Sequence, residues 1–144
     1  MTCDEMNQLL RSELSAVGTY QQALDKEREQ FGDETEFQQL NAILAEHQQA
    51  ASQLTTQIQQ LGGTPVHDSG AWGMWSKIVM GTAKLMGDKA ALKALKEGEE
   101  SGLKEYQEAL HDTTTPSEVK TVLNGLLPKQ QAHIRTLDGL MVKL

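Results

Sequence analysis

ELSAVGTYQQAL at residues 13–24 and EESGLKEYQEAL at residues 99–110 are identical at six of twelve positions when aligned without a gap. Two unrelated helical stretches would share roughly one. The offset of 86 that aligns them also pairs His47 with His133, Leu40 with Leu126 and Leu54 with Leu140. One offset holding over so much of the chain predicts an internal repeat of two helical hairpins. In each hairpin a Glu precedes a His by 34 residues (Glu13 and His47, Glu99 and His133), with midpoints at residues 30 and 116 beside the expected turns. In antiparallel helices such a pair sits at one depth, so four side chains converge on the bundle axis.

The apolar spacing agrees. Leu40, Leu44, His47, Ala51, Leu54, Ile58 and Leu61 alternate steps of four and three, the inward seam of a second helix. Val119, Leu123, Leu126, Gln130, His133, Leu137, Leu140 and Leu144 repeat it in a fourth, where Gln130 and His133 are the polar members. The first helix offers Met6, Leu10, Glu13, Val17, Tyr20, Leu24 and Phe31, interrupted by Glu27. The third offers Leu92, Glu99, Leu103, Tyr106 and Leu110, interrupted by Lys96.

Start signals stand at Thr2 with Glu5, at Asp33 with Glu36, at Ser69 before Gly70, at Asp88 after Gly87, and at Thr115-Pro116 with Glu118. Gly32 and the Gly62-Gly63 pair stand where helix ends favour left-handed residues. Pro128 next to Gly125 predicts a kink one turn before His133. Between the hairpins, Trp72, Trp75, Ile78 or Val79, Thr82 and Met86 fall on one face of a short amphipathic helix, with Lys77 and Lys84 off it. The expected organisation is a single domain over 1–144, with a first hairpin at 2–62, a crossover at 63–87 and a second hairpin at 88–144. The fold class is all-α.

Composition narrows the function classes. A chain of 144 residues with 38% hydrophobic content can bury one core, and 4% aromatic content suits long amphipathic helices better than sheets. A net charge of −7 without clustered Lys and Arg predicts no nucleic-acid partner. No apolar run approaches the roughly 18 residues of a membrane span. Cys3 is the only cysteine, so there is no internal disulfide, and a reducing, cytoplasmic setting is expected. His67 in the crossover and His111 near a helix end, where the dipole favours a cation, need no site role.

The chemistry rests on the interior polar residues. Helical bundles that hold two iron or manganese ions carry a Glu on two helices and Glu-x-x-His on the other two, because carboxylate oxygens and imidazoles suit those metals. Glu13, His47, Glu99 and His133 are the candidate metal ligands. Leu44 and Gln130, or Ala50 and Thr136, stand where the remaining ligands of a di-metal set belong. Tyr20, Tyr106, Gln130 and Glu46 are candidate supports. Glu46, beside His47, has alanine at its counterpart position 132, so it reads more as a flank residue than as a symmetric ligand. The metal-free alternative is an ion-paired polar layer, in which each imidazolium neutralises one carboxylate that would otherwise cost several kcal/mol to bury. Gly98 and Gly102 flank Glu99, making room either for a ligand or for close helix contact.

LRSELSAVGTYQQALDK, SGAWGMW, GDKAALKALKEGEESGLKEYQEAL and LLPKQQAHIRTLD together resemble a bacterial ferritin-like family, domain of unknown function 2383, over nearly the whole chain. The resemblance implies a ferritin-like four-helix bundle whose long crossover carries a short extra helix. By analogy with ferritins and rubrerythrins, it also implies metal at the interior cluster. The leading expectation is a non-enzymatic or weakly redox-active bundle holding iron, manganese or zinc. A di-iron-type oxidoreductase or ferroxidase is one alternative. A metal-free interaction or stress protein is the other, and segment 72–86 is a candidate homo-oligomer contact.

Overall fold

The computed structural model describes residues 1–68, 73–82 and 85–144. Among these residues there are six helices and no strand: α1 (Cys3–Asp25), α2 (Arg28–Phe31), α3 (Thr35–Gln60), α4 (Gly73–Met80), α5 (Lys89–His111) and α6 (Ser117–Val142). Trp72, Lys84 and the Ser69-Gly70 start signal lie outside the described residues.

Two start signals act as expected. Thr2 Oγ1 accepts the Glu5 N–H at 3.2 Å, and Asp88 Oδ1 accepts the Ala91 N–H at 3.1 Å, each giving a free donor of the first turn a partner. Two others do not. α3 begins after Glu34 and has no side-chain cap, so Asp33 is not its capping residue. The Thr115 hydroxyl donates to the Ala109 carbonyl at 2.7 Å, tying the turn to the end of α5, and Pro116 rather than Thr115 precedes α6. Gly62 and Gly87 have φ of +80° and +86°, whereas Gly32 stays right-handed at −56°. The expected interruption at Glu27 is a break between α1 and α2. There the buried Glu27 carboxylate accepts the Met86 N–H at 3.0 Å and pins the end of the crossover.

α1 packs on α3 and α5 on α6, while α3 meets α6 and α1 meets α5, giving the cyclic order α1, α3, α6, α5. Except for the exposed Leu61 and Leu144, the seams of α3 and α6 are buried as their spacing predicts. The core forms two apolar clusters. One contains Tyr20, Leu24, Leu40, Leu44, Leu95 and Leu137, and the other Leu10, Leu54, Ile58, Tyr106, Leu123 and Leu126. Each long helix contributes to both, with its polar seam residues between. α3 and α5 both run from the first cluster to the second, so the crossover must carry the chain back along the bundle. Val66 accordingly packs at the second cluster, and Trp75, Val79 and Leu85 at the first.

The amphipathic segment places Val79 and Leu85 in the core, with Trp75 and Met86 half-buried against it, while Ile78 is 47% exposed. Among the described residues, most of its apolar face is therefore covered by this chain. No helix of the described residues is long and apolar enough to cross a membrane. α6 passes through Pro128 without interruption, with Asn124, Gly125 and Pro128 all on its exposed side.

Candidate metal centre

Between the two apolar clusters lies a polar layer. Glu13, His47, Glu99, Gln130 and His133, one or two from each long helix, are at most 5% exposed. In each helix the polar residue falls where the seam's next apolar residue would stand, so the periodicity that buries the leucines buries these groups too.

His47 is the hub. Its Nδ1 lies 2.5 Å from Glu13 Oε2, on the neighbouring helix, and its Nε2 lies 2.6 Å from Glu99 Oε1, across the bundle diagonal. Burial disfavours charge on this ring, yet Glu99 and Glu13 outweigh it and hold the imidazole pKa well above its ordinary value. Burial likewise opposes ionisation of Glu99, but His47 and His133 overcome it and hold the carboxyl down at about 2. Without a metal, the imidazolium of His47 therefore donates to two carboxylates.

His133 has a parallel environment. Its Nδ1 lies 3.4 Å from Glu99 Oε2, its Nε2 lies 2.8 Å from Glu46 Oε1, and its ring centroid is 4.8 Å from that of His47. Each histidine thus has one nitrogen toward Glu99 and the other toward a second glutamate. The tyrosines cross between hairpins: Tyr20 donates to Glu99 Oε1 at 2.9 Å and stacks on His47, and Tyr106 donates to Glu13 Oε1. Burial, followed by the adjacent carboxylates, raises both phenols well above their usual pKa, so they remain protonated donors. Gln130 donates from Nε2 to the Glu99 main-chain carbonyl at 2.8 Å.

The four expected ligands are brought together unequally. His47, Glu99 and His133 present donor atoms all within 4.8 Å of one another, whereas Glu13 faces the far side of His47. Glu46, expected as a support rather than a symmetric ligand, lies against His133 Nε2 at 2.8 Å. The offset of 86 could not reveal this, because its counterpart is Ala132. Gly102 leaves space that the Gln130 amide fills, since a Cβ there would lie 2.7 Å from Gln130 Nε2. Close helix contact is thus the use of this glycine. Leu44 is a core residue, and Ala50 and Gln130 line the layer without supplying a carboxylate or imidazole. His67 and His111 are exposed and outside the layer.

The model of the family described as Domain of unknown function (DUF2383) matches residues 1–112. The chain belongs to this family. The match takes in Glu13, Tyr20, Glu46, His47, Glu99 and Tyr106, while α6, with Gln130 and His133, follows it. No curated protein and no solved structure matches the chain.

Proposed function

We propose that this DUF2383 chain is a ferritin-like bundle, one domain over residues 1–144, that holds a single transition-metal ion between His47 Nε2, the Glu99 carboxylate and His133 Nδ1. The observation that carries this reading is the convergence of these three buried donors within 4.8 Å. Two imidazoles and one carboxylate suit iron, manganese or zinc. Glu13 on His47 Nδ1 and Glu46 on His133 Nε2 stand where carboxylates orient metal-bound histidines and fix their tautomers. The missing bridging glutamates favour one ion over two. The reciprocal bonds of Tyr20 to Glu99 and Tyr106 to Glu13 support the duplication of a hairpin. The return of the chain along the bundle between α3 and α5 supports the ferritin-like topology.

When bound, an ion of this kind supplies Lewis acidity or, for iron and manganese, redox capacity. The void beside the layer is about 10 Å³, room for about one water. Binding and storage therefore fit the site better than turnover of an organic substrate, and an oxidoreductase role would be confined to species the size of water, oxygen or peroxide.

The second reading is a metal-free polar layer, favoured by the short bridge from His47 to both Glu13 and Glu99, which neutralises charge without an ion. Elemental analysis of protein expressed with iron, manganese and zinc separates the two. Close to one ion per wild-type chain, lost in Glu99→Gln and His133→Ala, is expected. Less than a tenth of an ion per wild-type chain would leave the polar layer as the function of these residues.

A further inference from the structure

Along the bundle axis the polar layer is closed by the apolar clusters on either side of it. Laterally it is not. Seven of its polar side chains (Glu13, Tyr20, His47, Glu99, Tyr106, Gln130, His133) belong to residues at most 5% exposed, but the Glu46 side chain is 37% exposed while its Oε1 lies 2.8 Å from His133 Nε2. Beside it the water-sized void is bounded by Glu46, Ala50, Lys129 and His133, at the seam of α3 and α6, and it reaches inward to Glu13 and His47. On the opposite hairpin the equivalent of Glu46 is Ala132, so the repeat does not duplicate this opening.

Building on the metal-binding reading, we propose that Glu46 is the exchange carboxylate of the site: divalent cations enter and leave between α3 and α6 through it, and Lys129 at the same mouth slows them. A partly exposed carboxylate that also touches a buried ligand offers a hydrated cation its first inner contact. A nearby ammonium lowers the local cation concentration. The charges at the mouth set how fast a cation arrives, while the three donors, with Glu13 on His47 and Glu46 on His133, set how long it stays.

The test is stopped-flow binding of Co²⁺ to the metal-free full chain, followed by visible absorbance at low and high ionic strength. Glu46→Gln keeps an oxygen to accept the His133 N–H and removes only the charge. It is expected to slow association by about ten-fold and to flatten its salt dependence. Lys129→Met is expected to accelerate association. Glu13→Gln is expected to speed release. Association of Glu46→Gln within two-fold of wild type, with wild type binding Co²⁺ at equilibrium, overturns the exchange role and leaves the metal site standing. Wild type that takes up no Co²⁺ at equilibrium overturns the metal reading and the route together.

Discussion

His47 Nε2 approaches Glu99 Oε1 to 2.6 Å although the two residues stand on α3 and α5, helices that face each other across the bundle diagonal. With Glu13 on the other nitrogen, this contact ties three helices through one ring. Removing the ring while the carboxylates remain leaves buried charge without its main compensation. His47→Ala is therefore expected to cost roughly 3–5 kcal/mol in urea unfolding of the metal-free protein. Adding Glu99→Gln should recover part of that loss, because the stranded charge is gone. A loss below about 1 kcal/mol for His47→Ala would contradict the ion-pair account.

Glu13 and Glu99 occupy offset-related positions but have different roles in the proposed site. Glu99→Gln removes a ligand and should abolish stoichiometric metal. Glu13→Gln weakens the orientation of His47 and should lower affinity by roughly 10–100-fold. Equal losses in an equilibrium competition with a chelator of known affinity would show Glu13 to be a ligand in its own right.

Asp88 links the crossover to α5. Its carboxyl lies below its ordinary pKa, first because the Thr82 hydroxyl donates to it and then because the Ala91 N–H does. A depressed folded pKa contributes stability above the unfolded value near 3.8, and that contribution fades as pH falls through the folded one. Asp88→Ala is expected to cost about 1 kcal/mol at pH 7. Thermal unfolding of variant and wild type should converge as pH falls below about 3.8. A gap that persists at pH 2 would show that the carboxylate is not the source.

Gly102→Ala tests the fit of Gln130. The new methyl forces the amide off the Glu99 carbonyl, losing a hydrogen bond of about 1 kcal/mol. Replacing a mid-helix glycine by alanine gains a similar amount. Stability should therefore change by less than about 1 kcal/mol. A loss of several kcal/mol would mean that Gln130 cannot move.

The seams of α3 and α6 were legible because burial along a helix follows a local period, which His47, Gln130 and His133 share with Leu40 and Leu137. The break at Glu27 was visible as an interruption, but its cause was not, since Met86 N–H comes from 59 residues away. Asp33 and Thr115 had the chemistry of caps. Neither caps its helix, because α3 starts one residue after Glu34 and the Thr115 hydroxyl is taken by Ala109.

The sequence by itself determined that the chain is helical, where most helices turn, and that Glu13, His47, Glu99 and His133 are buried, because period and offset are properties of one strand of text. The tertiary structure decided which nitrogen meets which carboxylate. It turned Glu13 to the back of His47 and brought Glu46 from the flank of α3 onto His133. Those choices depend on the rotation and spacing of neighbouring helices and on rotamers fixed by packing, which no single helix carries in its own pattern.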